Sequence, residues 1–173
     1  MAIPLTPMLT RTTTPSNPLA LVTPGRILNS KSASLLEAIQ AALPDLPLQL
    51  RPVVARVNVP PLTLLAVLAY CYATEVYSSH DVRKYILTDA VCCAALGGEF
   101  VFPGEIRAFR HANRSALERC LTAALRFRGE QAADAEMSAW CPEETMIAEE
   151  ARRRILFAAC LDSMELDEAC FSC

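Results

Sequence analysis

From Ser34 onward the apolar residues of this chain recur at intervals of three and four, the period of a helix with one buried face. Leu35, Leu36, Ile39 and Leu43 form the first such stripe. Ser34 and Glu37 have capping-box spacing and Pro44 follows, which predicts a helix over 34–43. Pro44, Pro47 and Pro52 then make a stiff connector. Pro60 and Pro61 suit the first turn of a second helix, and its continuation, LTLLAVLAYCYATEVY, is apolar nearly all round, so it belongs at the centre of a bundle. Ser78 and Asp81 cap a third helix with Val82, Tyr85 and Ile86 inward and His80, Arg83 and Lys84 toward solvent. Thr88 or Asp89 caps a fourth, AVCCAAL, closed by Gly97 and Gly98.

The pattern continues past the glycines. Phe100 and Phe102 flank a turn through Pro103 and Gly104, and 105–111 reads as a short helix with Ile106 and Phe109 inward and Arg107, Arg110 and His111 outward. Asn113 caps the next helix, in which Leu117, Leu121, Ala124 and Leu125 repeat at helical spacing until Gly129 ends it. A last helix over 142–164 places Met146, Ile147, Ala151, Ile155 and Ala158 on one stripe, with Glu149, Glu150, Arg152 and Arg153 outside. Strand-like alternation occurs only over 49–59, where proline intrudes, so no sheet is expected. The fold class is all-α, a compact helical bundle.

Residues 1–30 break this regularity. They are rich in Pro, Thr and Ser without a period, which predicts an arm in front of a helical domain over 31–129 and an acidic helix and tail over 130–173. With 173 residues, 53% of them hydrophobic and only five Gly, the chain is sized for one packed domain. The longest apolar stretch falls short of the ~20 residues a bilayer span needs, and prolines interrupt any signal-peptide helix near the start, so no membrane is expected and the compartment reads as cytoplasmic. Most of the eight cysteines sit inside apolar helical patterns, as small buried hydrophobes of a reducing compartment do. Cys170 and Cys173 form a CxxC with no second pair at zinc-site spacing, so unpaired tail thiols are the expectation and no metal is assigned.

Charge adds an asymmetry that the net −3 conceals. Between Pro103 and Arg128 six arginines face two glutamates, a local charge of +4, whereas from Glu130 onward eleven carboxylates outnumber three arginines, a charge of −8. One segment suits a polyanion and the other repels it.

Over residues 60–121 the order of these pieces resembles the N-terminal domain of DDE-type bacterial insertion-sequence transposases. The resemblance rests on Pro60, Pro61, Leu64, Leu65, Leu68, Tyr70 and Tyr72, on Tyr77, Ser78, Ser79 and Val82, and on Leu96, Gly97 and Gly98. It closes on Pro103, Ile106, Phe109, Arg110 and Arg114. Pro103-Gly104-Glu105 is shorter than the Pro-Asp-hydroxyl turn of many members. The family's catalytic part, a sheet presenting three carboxylates to two divalent metals, has no counterpart in the forty-five residues after Arg128. The resemblance therefore implies a helix-turn-helix-like core, DNA binding and assembly on a mobile element, without strand transfer.

The candidate DNA-contacting residues are Arg107, Arg110, His111 and Arg114 on one face of the short basic helix, and Ser78, Ser79, Arg83 and Lys84 around the preceding turn. The serines are explained equally by helix capping, and the arginines by a solvated face. Tyr70, Tyr72 and Tyr77 read as core aromatics rather than a stacking platform, and Glu143, Glu144, Glu149 and Glu150 as a solvated face rather than a metal site. Neither His80 nor His111 has a nucleophile or carboxylate at an evident partnering position. The expectation is a transposase-derived DNA-binding protein that is not an enzyme and carries no cofactor. Its partners would be double-stranded DNA and either a second copy or a full-length transposase. The competing reading is a helical protein-interaction or scaffold module that binds no nucleic acid.

Overall fold

The computed structural model describes residues 30–46, 49–51, 59–136 and 143–171. Seven helices are present and no strand occurs among the described residues. They are α1 (Ser30–Ala42), α2 (Pro61–Ala73), α3 (Ser79–Thr88), α4 (Ala90–Ala95), α5 (Pro103–Ala112), α6 (Arg114–Glu136) and α7 (Glu144–Phe171). The all-α reading holds. The arm expected over 1–30 lies outside the described residues apart from its last position.

The second helix is the spine. Pro60 precedes its first turn, and every residue from Leu64 to Ala73 is buried, Tyr70 and Tyr72 included. A helix apolar on all sides must be surrounded, and α2 is packed by α1 and α6, with α7 packed on α6. Leu35, Leu36 and Ile39 from α1, Leu117, Leu121 and Ala124 from α6, and Ala151, Ile155 and Ala158 from α7 join the same core. At the other end α3 packs on α4 and α5, contributing Val82 and Ile86, and α5 adds Ile106 and Phe109.

Local signals set most of the boundaries. The Ser78 hydroxyl accepts the Asp81 N–H, and Asp89 accepts those of Val91 and Cys92, so α3 and α4 begin at side-chain caps. Gly97 and Gly98 end α4 with φ of 63° and 78°, backbone that L side chains rarely adopt. The C-terminus of α2 is closed differently: Arg154 donates to the carbonyls of Tyr72 and Ala73, and Arg128 also donates to that of Ala73. Cations thereby meet the orphan carbonyls and the negative end of the helix.

Four expectations are corrected. The first helix starts at Ser30, so Ser34 lies a turn inside it rather than at its cap, and a single 3-10 turn (Leu43–Asp45) with Pro44 closes it. The spine helix ends at Ala73, before the predicted ATEVY end, where Glu75 takes a positive φ of 69°. Gly129 does not end α6, which runs unbroken to Glu136, because tertiary packing on α2 and α7 outweighs the modest helix penalty of one glycine. Met146 is exposed rather than on the buried stripe, which consists of Ala151, Ile155, Ala158 and Asp162.

Candidate nucleic-acid interface

The basic helix α5 carries its polar residues in two directions. Residues three and four apart share a helical face, so Ile106, Phe109 and Arg110 point together into the core. Arg110 is only 6% exposed, and its guanidinium donates to the Tyr72 hydroxyl at 3.0 Å and to Asp162 Oδ2 at 2.5 Å. Asp162, 2% exposed on α7, also accepts the Ser79 N–H at 2.7 Å through Oδ1 and the Ser79 hydroxyl at 2.5 Å through Oδ2. One carboxylate thus caps the N-terminus of α3 from another helix and neutralises a cation on α5. The network ties α2, α3, α5 and α7 together. Burial pushes the Tyr72 phenol up to about 12, partly countered by the adjacent Arg110 charge. Burial acts to lower the Arg110 pKa, but Tyr72 and Asp162 outweigh it and the group stays charged.

Arg110 and Ser79, both expected at a DNA interface, are therefore internal, with every short contact directed at protein. Ser78 is likewise buried, its hydroxyl engaged as the α3 cap. The physical reason is the same for all three: each sits where the helical period turns inward, and the interior supplies a polar partner.

Arg107, His111 and Arg114 are placed differently. His111 and Arg114 are exposed, Arg107 is half-buried, and all three line a pocket of about 350 Å³ between α5 and α7 whose apolar wall is Ile155, Leu156, Ala159 and Leu166. Arg107 Nη1 is enclosed there without a hydrogen-bond partner. His111 and Arg114 also border a second, larger concavity of about 840 Å³ at the start of α6, lined by Arg51, Asn113, Ser115 and Arg119 and by no carboxylate. Arg51 was not singled out by sequence, because it lies in the proline connector sixty-two residues from Asn113. The Asn113 side chain accepts the Arg51 N–H at 2.6 Å and donates to its carbonyl at 3.2 Å. That amide clamp, rather than the N-terminal cap expected of Asn113, fixes Arg51 beside Arg114.

The arginines are sorted by partner. Arg110, Arg126, Arg152, Arg153 and Arg154 form ion pairs with Asp162, Glu144, Glu118 and Glu150, and Arg128 is held by a carbonyl. Among the described residues Arg51, Arg107 and Arg114 form no ion pair. The first turn of α6, which carries no acidic residue, opens into the same concavity, adding the positive end of a 23-residue helix.

Arg83 and Lys84 lie apart from these concavities. Arg83 sits over the Phe102 ring, 5.5 Å from its centroid, and Lys84 is exposed. His80 is paired with Glu165 at 2.8 Å, a carboxylate partner eighty-five residues away that sequence spacing did not disclose. Tyr70 and Tyr72 are core residues and Tyr77 is half-buried. No group of three or more potential metal-ligating side chains occurs among the described residues. Cys71, Cys92, Cys93, Cys120 and Cys160 are unpaired thiols, and the side chains of Cys170 and Cys173 lie outside the described residues. No helix among the described residues is long and apolar enough to cross a membrane.

Comparison with protein-family models, with curated proteins and with solved structures finds no match for this chain.

Proposed function

We propose that the protein binds duplex DNA through its phosphate backbone, without catalysis, using the cationic concavity where α5 meets α6. The observation that carries this reading is the sorting of the arginines. Five of the described arginines are neutralised by carboxylates, yet Arg51 and Arg114 form no ion pair beside a hollow lined by no carboxylate that a helix N-terminus enters, and Arg107 forms none in the neighbouring pocket. Guanidinium groups and backbone N–H donors at helix starts are the usual ligands of phosphate. In this reading α5 and the start of α6 stand where a helix-turn-helix protein carries its reading helix. The transposase-like order of motifs makes the ends of a mobile element the natural DNA, and regulation of a full-length transposase by occupancy of its sites the natural role.

The test is fluorescence anisotropy of a labelled duplex over a salt series. Three cations at the phosphates give a slope of log K against log salt of about −3. Arg114→Ala and Arg51→Ala should each reduce that slope by about one, while Arg83→Ala leaves it unchanged. Absence of binding at low salt, or a slope indifferent to Arg51 and Arg114, rejects the proposal.

A further inference from the structure

The pocket of about 350 Å³ between α5 and α7 joins two walls that water alone satisfies poorly. Residues 156, 159, 163 and 166 alternate spacings of three and four, so they share the face of α7 that lines the pocket with Arg107, His111 and Arg114. On that face Leu156 is 44% exposed and Leu166 is 47% exposed, large side chains left half open rather than packed. The other wall holds Arg107, half-buried, with its Nη1 enclosed and without a hydrogen-bond partner. A buried N–H of a charged group that lacks an acceptor has given up water without replacement, and the leucines leave apolar area in water. One ligand with an anionic head and an apolar body relieves both.

The charges of the lining select the head group. Arg110 and Asp162 also reach the pocket, but as a closed pair: Asp162 accepts from the Arg110 guanidinium and from the Ser79 N–H and hydroxyl, so the two charges cancel. Arg107 and Arg114 form no ion pair among the described residues, and their two positive charges are left uncancelled. A guanidinium presents paired N–H donors that match the two oxygens of a carboxylate. Inorganic phosphate or the backbone of a duplex meets such cations but sets nothing against Leu156 and Leu166. A carboxylate with a hydrocarbon tail meets both walls, and the volume lies at the small end of the ~300–1,000 Å³ usual for ligand sites.

We propose that the pocket between α5 and α7 binds a small amphipathic carboxylate, its head on Arg107 and Arg114 and its tail along Ile155, Leu156, Ala159 and Leu166. The apolar wall sets this site apart from the cationic concavity at the start of α6, and it is tested without DNA, so its failure and that of the DNA-binding reading are distinguishable.

The experiment is isothermal titration calorimetry of the full chain with octanoate, with circular dichroism to confirm that each variant keeps its helix content. The wild type should bind octanoate saturably at one site with a Kd of about 1 mM or below. Octanol, which lacks the charge, and acetate, which lacks the tail, should each bind about tenfold more weakly or worse. Arg107→Gln removes the charge and Leu156→Asp reverses the wall at an exposed position. Each should weaken octanoate about tenfold or more, whereas Arg153→Ala, exposed and outside the pocket lining, should leave it unchanged. No saturable binding, affinity equal to that of octanol or acetate, or affinity indifferent to both pocket substitutions overturns the proposal. A wild type that ignores octanoate yet pellets with phosphatidylglycerol vesicles overturns it in favour of a lipid surface.

Discussion

Arg110 shows how one residue's environment decides its use. A guanidinium taken out of water with two hydrogen-bonded partners is stable only while both partners remain, so truncating either side of the pair leaves an uncompensated buried charge. Arg110→Ala or Asp162→Ala should lower unfolding stability by about 3–5 kcal/mol in urea denaturation, Asp162→Ala also removing the acceptor of two Ser79 donors. The double replacement Arg110→Met with Asp162→Leu should recover a large part of that loss, because no charge is then left buried. Tyr72→Phe removes only a hydroxyl acceptor and should cost about 1–3 kcal/mol. It should also alter the alkaline limb. The Tyr72 phenol is held protonated to about 12 against an ordinary value near 10, so the folded state retains a proton that the unfolded state releases. Stability should therefore fall as pH rises from about 10 to 12, and the Phe variant should lose the share of that fall due to this phenol. The sequence reading turned Arg110 outward with Arg107 and His111, although its position four residues after Ile106 and next to Phe109 shares their inward face. Asp162, four residues after Ala158 on the α7 stripe, carried the same signal and was not singled out. What sequence did not supply was that the two odd charges meet across fifty-two residues.

At the scale of elements, the caps and the continuous apolar runs were legible and the long-range closures were not. Ser78, Asp89 and the Gly97–Gly98 pair act within five residues of themselves, so their hydrogen bonds were implied by spacing. The clamp of Asn113 on Arg51 and the capping of α2 by Arg128 and Arg154 depend on which elements become neighbours, and spacing carries no such information. The continuation of α6 through Gly129 belongs to the same class, since an isolated glycine ends a helix only where no packing holds the next turn. It leads to a specific expectation. A Cβ built at Gly129 meets nothing within 4 Å, and the backbone there is helical. Gly129→Ala should therefore stabilise the protein by about 0.5–1 kcal/mol, read as a raised denaturation midpoint at unchanged slope. Gly97→Ala should do the opposite despite open space around it, because its φ of 63° strains any residue with a Cβ.

Across the whole molecule the packing is graded, and so is the expected order of local opening. The α2 spine is enclosed along ten consecutive residues, its carbonyl end is tied by two arginines, and Tyr72 links it to the Arg110–Asp162 pair. Releasing an α2 amide near its centre therefore requires α6 and α7 to leave as well, which amounts to global unfolding. The short α4 has the reverse character: six residues with Cys93 and Ala94 exposed, a single fully buried anchor in Cys92, and glycines at its exit. Native-state hydrogen exchange should show the amides of Val67–Cys71 exchanging at the global free energy, while those of α4 exchange through local openings several kcal/mol cheaper. Asp162→Ala should collapse this difference at one place in particular. By unpinning the N-terminus of α3 and the inner face of α5, it should accelerate exchange in those two helices before it affects the centre of α2. If instead all helices lose protection together in the variant, the Asp162 network is merely one more contact of a single cooperative core, and its role as the latch between the two ends of the bundle is refuted.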